Sequence, residues 1–233
     1  MSRSKRADEA GYCYHALNRG NARREIFHKP ADYDALLNRL GEALGRYPVD
    51  LMVFCLMPNH WHLVLRPRRD GAMGRMMGWV GSTHTARYHA HNHTVGSGHF
   101  YQGTFKSFPV QDDSHFLTLC RSVERNALAA GLCRRAEDWV YGSLRRRSQR
   151  SDRDPKLLTT WPIGRPTGWV KRVNEPMSEK ELERVRNSVR RGTPYGDTQW
   201  LGSTCQQTGL WSTTRPIGRP PKRKRPAVQP EPT

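Results

Sequence analysis

The chain has 233 residues and carries 39 Lys and Arg against 21 Asp and Glu, a formal charge of +18 at pH 7. This excess favours a polyanionic partner, with nucleic acid ahead of an anionic membrane, because each phosphate contact releases condensed counterions. The sequence shows no apolar run of about 18 residues, no signal-peptide core and no lipidation motif, so we expect no membrane partner and a cytoplasmic, nucleoid-associated location.

The cysteines do not indicate a metal or disulfide scaffold. They are odd in number and form no CxxC pair, which argues against a zinc ribbon or a set of disulfides. Cys13, Cys55 and Cys120 lie inside apolar runs and are predicted to be small core residues.

The first half of the chain predicts a strand, a helix and a pair of strands. Residues 12–17 are aromatic and apolar, and the turn-prone residues 18–21 follow them. Apolar side chains recur at helical spacing from Lys29 to Tyr47. Residues 49–57 and 60–66 are apolar runs on either side of a Pro-Asn turn, which predicts two antiparallel strands.

The pattern continues to about residue 145. A helix is predicted over Gly71 to His91, a strand region over His99 to Val110, and a helix over Asp112 to Ala130. Strands followed by covering helices are typical of an α+β fold, and we expect an antiparallel β-sheet covered by α-helices over residues 10–145.

The remainder predicts an extension. Residues 146–177 are polar and are predicted to form a linker. Residues 178–212 are predicted to form a small helical DNA-binding appendage that begins with a helix from Ser178 to Arg191. Residues 213–233 form a basic tail, predicted to be disordered when free.

The tail contains a short motif of its own. Gly218, Arg219, Pro220, Pro221 and Lys222 resemble an AT-hook core, in which an extended Gly-Arg-Pro lies in an A·T minor groove and flanking lysines bind phosphates. We therefore predict Arg219 and Lys222 as DNA contacts; the alternative is a non-specific basic tail.

A histidine pair opens the third predicted strand. Residues two apart on a strand face the same side, so His60 and His62 project together while Trp61 faces away. Two such imidazoles can share a divalent ion. An isolated pair of this kind is more often a solvent-bonded hairpin feature, and its context decides between the two interpretations.

That context is a family resemblance. Residues 55–64, CLMPNHWHLV, resemble the HUH motif (His, hydrophobic, His) of single-strand DNA transposases, and the chain is similar to the REP-associated tyrosine transposases. Further matching blocks are NRGN at 18–21, GHFYQGTFKS at 98–107 and RSVERNALAAG at 121–131. They cover about residues 10–145 in the family's order.

The resemblance implies a mechanism. His60 and His62 would hold Mg²⁺ or Mn²⁺ against a scissile phosphate, and Asn126 stands where the family places a further metal ligand. A helix-borne tyrosine would attack and conserve the phosphodiester energy in a covalent link. The implied partner is single-stranded or hairpin REP-type DNA. Members often act as dimers, so a homodimer is also expected.

The chain departs from the pattern at the nucleophile. Ser122 occupies the tyrosine position, and a serine hydroxyl has a shorter reach and a far higher pKa than a phenol. Three explanations stay open: an inactivating substitution, rescue by Tyr88, Tyr101 or Tyr141, or a domesticated protein that binds DNA without cutting it.

Contacts to DNA are predicted at two further places. Asn18 and Arg19 follow the first strand, where an arginine can read a guanine edge or grip phosphate. Arg87, Tyr88 and Lys106 combine cations with neighbouring aromatic rings, a combination suited to single-stranded DNA. For each of them the alternative is an ordinary solvated side chain.

Three functions follow from the sequence. The first is a transposase that cuts and rejoins single-stranded DNA, and the second is a sequence-specific DNA-binding protein without cleavage. The third is a metal-dependent phosphodiesterase that uses water, for which Glu124 is the one compelling general base. Five further histidines fit no metal geometry and are assigned no ligand role: His84, His89, His91, His93 and His99.

Overall fold

A computed structural model describes residues 6–96, 98–149 and 157–215. Four strands form one antiparallel sheet in the spatial order β2-β3-β1-β4. The strands are β1 (Cys13–Arg19), β2 (Val49–Met57), β3 (His60–Pro67) and β4 (Lys106–Val110). The predicted α+β class with an antiparallel sheet is confirmed.

Eight helices surround the sheet within the described ranges. The first two, α1 (Pro30–Arg46) and α2 (Ala72–His91), agree closely with the predicted helices. The others are α3 (Ser114–Glu124), α4 (Asn126–Ala129), α5 (Ser143–Ser148), α6 (Trp169–Asn174), α7 (Glu179–Arg191) and α8 (Thr198–Thr208). None of the helices described is long and apolar enough to cross a membrane.

One face of the sheet forms the main core with α1 and α2. Trp61, Leu63 and Leu65 of β3 lie in this core. Helix α1 starts cleanly because Pro30 occupies its first turn and the Asp32 carboxylate accepts the backbone N–H of Lys29 at 3.2 Å. Its buried stripe is Tyr33, Leu36, Leu37, Leu40 and Ala43.

The opposite face carries Val64 of β3 and a second core. Helix α3 packs here through Phe116, Leu119, Cys120 and Val123. Because side chains alternate along a strand, His60 and His62 lie on the same face as Val64. The three cysteines predicted to be core residues are buried, and Cys13, Cys55 and Cys120 all belong to this second core.

Two predicted elements differ from the structure. The expected single helix over Asp112 to Ala130 is interrupted at Arg125, whose guanidinium binds the carbonyls of Val173 and Asn174 at 3.0 and 2.6 Å. The expected strand region from His99 is shortened to β4, and Tyr101 makes only an isolated bridge to Gly20.

The chain after residue 145 packs on this domain. Helix α6 lies within the predicted linker, and its Trp169 and Val173 are buried in the second core. Helix α7 confirms the predicted helix and has the expected cap, since Ser178 and Glu181 form a capping box. Helix α8 was not predicted. The predicted boundaries between the domain, the linker, the appendage and the tail remain predictions.

The link between this extension and the sheet is a backbone pairing. Tyr195 donates its N–H to the Pro109 carbonyl, and its own carbonyl accepts the N–H of Gln111, both at 2.9 Å. These bonds cover part of the outer edge of β4, which would otherwise present unpaired backbone groups. The extension from α7 onward is therefore held at the β4 edge of the sheet.

A buried polar chain fixes the main core beneath β3. The Trp61 indole N–H donates to the Tyr101 hydroxyl at 3.0 Å, and that hydroxyl lies 2.6 Å from Nδ1 of His84. Because the phenol oxygen already accepts from Trp61, its proton is available to His84, whose Nδ1 then accepts. Burial lowers the pKa of His84 to about 4.

This chain of hydrogen bonds makes a prediction about acid stability. Between the ordinary histidine pKa of about 6.5 and the folded value, the unfolded protein binds a proton at His84 that the folded protein does not. The free energy of unfolding should therefore fall as pH drops through this interval, by up to about 3 kcal/mol from His84. In His84→Gln, urea unfolding should show a smaller loss between about pH 7 and about pH 4.5. Equal losses in both proteins would contradict this origin.

Candidate metal and nucleic-acid site

The histidine pair lies at the start of β3, between β1 and β2. As expected from strand alternation, the rings of His60 and His62 are neighbours, with centroids 4.9 Å apart and planes at 82°. In the strand register Arg19 is opposite His60, and Leu17 is opposite His62. The pair is therefore surrounded by side chains of the central strand β1.

The tautomer of His60 follows from the turn before it. Nδ1 of His60 lies 2.6 Å from Oδ1 of Asn59, while Nδ2 of Asn59 donates to the Arg23 carbonyl at 3.1 Å. The amide is thus oriented with its oxygen toward the imidazole, so Nδ1 of His60 must be the donor. Nε2 of His60 is left with a free lone pair.

His62 makes a hydrogen bond through the same ring nitrogen, with a different partner. Its Nδ1 lies 2.9 Å from Nε2 of His15, a fully buried residue of β1. Within the described part of the chain, Nε2 of His60 and Nε2 of His62 have no hydrogen-bond partner. Neither of these two atoms is among the fully buried polar atoms that lack a partner. Both nitrogens therefore remain accessible.

Both imidazoles are held in the neutral state. Burial, and then the neighbouring Arg19 cation, lower the pKa of His60 to about 4. Burial also lowers the pKa of His62, with His15, His60 and Arg19 contributing further. Neutral imidazole is the form that binds a metal ion, so protons compete little with a metal near pH 7.

The histidines open into a basic cavity of about 510 Å³. None of the described residues that line it is acidic. Its cations come from three parts of the chain and are Arg6, Arg19, Lys106, Arg190 and Arg191. A concave surface with this charge concentrates anions and suits a phosphate backbone.

The end of α7 forms one wall of this cavity. Arg191 donates to the Thr213 carbonyl at 2.7 Å, and the Thr193 hydroxyl donates to the same carbonyl at 2.8 Å. These bonds hold the short 3-10 turn Leu210–Thr213 at the cavity, which Leu210 and Thr213 also line. The segment predicted as an appendage thus lies beside the histidine pair.

The donor set provides two ligands for a metal ion. No cluster of three His, Cys, Asp or Glu side chains suited to a metal is present in the described residues. Two accessible imidazole nitrogens on one face nevertheless fit a divalent ion whose other positions are filled by oxygen donors from DNA, solvent or an amide.

Ser122 and Asn126 lie outside the cavity lining. Both are half-buried, at the end of α3 and the start of α4. The backbone of Ala127 hydrogen-bonds to the Cys55 thiol, and Cys55 is opposite His62 in the strand register. The α3–α4 junction therefore lies over β2, one strand away from the histidines.

The predicted DNA contacts divide into three groups. Asn18, Arg19 and Lys106 line the cavity. Arg87 is exposed on α2 outside it, and Tyr88 on the same helix packs on Phe100 with ring centroids 4.2 Å apart. Arg219 and Lys222 fall outside the described residues.

The candidate rescue tyrosines are occupied by packing. Tyr101 belongs to the core on the face opposite the histidines, and burial raises its pKa. Tyr141 stacks on Tyr33 with ring centroids 3.8 Å apart. Tyr88 bonds to His28 through its hydroxyl at 3.0 Å. None of the three lines the cavity.

Glu124 is similarly engaged. One carboxylate oxygen accepts from the Ser143 hydroxyl and the other from the Trp169 indole, both at 2.6 Å. Burial raises its pKa, and these two hydrogen bonds oppose the shift. A carboxylate fixed in this way ties α3 to α5 and α6, which argues against its use as a general base in a hydrolytic reaction.

Sequence reasoning missed His15, Arg190 and Arg191. His15 lies inside a predicted strand and shares a face with residue 17. Its position beside His62 becomes apparent only when β1 is paired with β3. The two arginines at the end of α7 are far from the motif in sequence. No local pattern connects them to it.

A sheet with a histidine pair in a basic cavity is the arrangement expected from the resemblance to the HUH transposases. The profile described as "Transposase IS200 like" matches residues 10–126. The chain therefore belongs to the IS200-like transposase family, which confirms the resemblance seen in its motifs.

A solved structure shares the fold. It is the structure of a REP-associated tyrosine transposase bound to a REP hairpin. It is 15% identical, with a TM-score of 0.53, and the superposition covers 77% of this chain and 100% of that one. No curated protein gave a significant match.

The accessible Nε2 atoms make a prediction about metal binding. In His60→Ala, Mn²⁺ affinity measured by electron paramagnetic resonance should fall at least about 10-fold, because one of two protein ligands is removed. The matched control is His99→Ala, which removes an exposed histidine outside this cavity. An equal loss in both variants would show that Mn²⁺ binds elsewhere.

Proposed function

We propose that this protein binds single-stranded or hairpin DNA of the REP type in the cavity beside His60 and His62, with a divalent metal ion at the histidine pair. The observation that carries the proposal is the meeting of the two accessible Nε2 atoms with five cations in one concave surface. The hairpin in the structural relative supports the choice of DNA ligand.

The cavity suits a DNA backbone in charge and in shape. Arg19 ends β1, the strand beside the histidines, and Lys106 begins β4 on the far side of β1. Arg190 comes from α7 on the other wall. Cations on both sides can grip successive phosphates, whose release of counterions supplies much of the binding free energy. Phe105 also lines the cavity, and the Arg6 guanidinium lies over its ring, 4.1 Å from the centroid.

His60 and His62 would hold the Mg²⁺ or Mn²⁺ ion, and Asn126 is proposed as a further ligand. When bound, the ion would offset negative charge on a phosphate. The Asn59 side-chain oxygen accepts the Nδ1–H of His60, which leaves the ring's lone pair on Nε2. Arg19, opposite His60, would attract the phosphate, and its charge disfavours protonation of the ring.

We further propose that the present chain binds DNA without forming a covalent link to it. Ser122 stands at the family's tyrosine position, and a serine hydroxyl is much less acidic than a phenol. The other candidate tyrosines are held by packing, away from the cavity lining. An inactive, DNA-binding descendant of a transposase is therefore favoured over an active one.

Restoring the nucleophile tests this proposal. The Ser122→Tyr variant, incubated with a 3′-labelled REP-hairpin oligonucleotide and Mn²⁺, should give a labelled covalent adduct on a denaturing gel, whereas the unmodified protein should give none. Adding His60→Ala to the variant should abolish the adduct. An adduct in the unmodified protein would contradict the loss of cleavage, and a cut product without an adduct would favour hydrolysis by water.

Charge removal tests the DNA surface. Lys106→Ala and Arg190→Ala should each weaken hairpin binding about 3- to 10-fold, and each should reduce the slope of log K against log salt by about 0.7 for every phosphate that is no longer neutralised. Fluorescence anisotropy at several salt concentrations measures both quantities.

The matched control for these variants is Arg69→Ala, an exposed arginine beyond the opposite end of β3. It removes the same net charge without touching the cavity, so its affinity and salt slope should stay close to those of the unmodified protein. If all three variants behave alike, binding depends on net charge and the cavity is not the DNA site.

A further inference from the structure

The contact between His15 and His62 links the half-buried histidine pair to the interior of the sheet. In the register His15 is opposite Val64, so it is the diagonal neighbour of His62 on the same face. The two rings are nearly parallel, with planes at 5° and a nitrogen-to-nitrogen distance of 2.9 Å. Phe108 packs against His15 with ring centroids 5.0 Å apart and holds its ring in place.

This hydrogen bond can be written with two proton arrangements. His15 is 1% exposed and has no ion-pair partner among the described residues, so it stays neutral and carries a single ring proton. If that proton is on Nε2, it is donated to His62, and the proton of His62 must then be on Nε2. If His15 is protonated on Nδ1, its Nε2 accepts the Nδ1–H of His62, and Nε2 of His62 is a free lone pair.

The surroundings favour the second arrangement. Nε2 of His62 is the nitrogen without a protein partner in the described chain, and its ring lines a cavity with five cations. A lone pair facing positive charge is stabilised, whereas an N–H facing it is repelled. The matching arrangement at His60 is imposed by Asn59, whose amide is oriented by the Arg23 carbonyl.

The second arrangement has a cost within the sheet. Nδ1 of His15 is buried and has no hydrogen-bond partner in the described chain. A buried N–H without an acceptor typically costs about 1–3 kcal/mol. A buried N–H without a partner, beside the apolar Phe108 ring, does not stabilise the fold. This cost points to a role for His15 in the function of His62.

We propose that His15 is a positioning residue: its Nε2 accepts the Nδ1–H of His62 and thereby fixes His62 as an Nε2 ligand. The inference rests on the proposed function for its purpose, because a free Nε2 serves a metal ion. Orienting partners of this kind typically change metal affinity by about 10- to 100-fold.

The proton arrangement can be measured without any metal. In the metal-free protein with ¹⁵N-labelled histidine, long-range ¹H–¹⁵N correlation spectra should show His15, His60 and His62 all protonated on Nδ1. Finding His62 protonated on Nε2 would overturn the proposal. This result does not depend on metal binding, so it is separate from any failure of the proposed function.

Two substitutions then test the consequence. His15→Leu keeps an apolar volume but removes the acceptor, and Mn²⁺ affinity should fall about 10- to 100-fold. His15→Gln places an amide oxygen near the position of Nε2, and affinity should return to within a few-fold of the unmodified protein. A loss of the same size in both variants, or no loss in His15→Leu, would contradict the positioning role.

Thermal unfolding separates this role from a purely structural one. Because His15→Leu removes the orphan donor, its melting temperature should stay level or rise while its Mn²⁺ affinity falls. A parallel fall of both would assign His15 to the core alone. If the unmodified protein itself binds no Mn²⁺, the metal at His60 and His62 is contradicted, and the spectra still decide the tautomer.

Discussion

The pairing of β1 with β3 is the interaction on which the rest of this molecule depends. It sets Arg19 opposite His60 and Leu17 opposite His62, and it places His15 diagonal to His62. A shift of one residue would turn every side chain of β3 to the other face, since the period of a strand is two. The histidines would then enter the core that now holds Trp61.

Both faces of β3 oppose such a shift. On one side Trp61 is bonded to Tyr101, which contacts His84, in a core completed by α1 and α2. On the other side Val64 packs under α3. The apolar positions on both faces of β3 therefore fix its register. His60 and His62, at the beginning of the strand, are half-buried and line the cavity.

The site combines residues from the sheet with residues from the C-terminal extension. The sheet supplies the histidines and two cations, while the extension supplies Arg190 and Arg191. Arg191 donates a hydrogen bond to the Thr213 carbonyl, so it stabilises the cavity wall and also contributes positive charge to it. The junction that carries Ser122 is tied to the same extension, because Arg121 and Arg125 bind carbonyls in residues 173–176. The extension therefore supports both the histidine pair and the junction that carries Ser122.

The sequence alone determined the elements and the motif. Helices α1, α2 and α7, the antiparallel sheet and the shared face of His60 and His62 follow from periodicity, capping and strand alternation, which are local properties. Serine at position 122 is likewise a fact of the sequence. The break at Arg125, the short β4 and helix α8 did not follow, because they depend on packing between distant segments.

Only the tertiary structure decided which residues meet at the histidine pair. The contact of His15 with His62 spans 47 residues, and the wall formed by Arg190 comes from helix α7, more than a hundred residues after the motif. Such neighbours are chosen by strand register and by the docking of the extension at the edge of β4. No local pattern in the sequence encodes either, because both arise from long-range hydrogen bonding and shared burial.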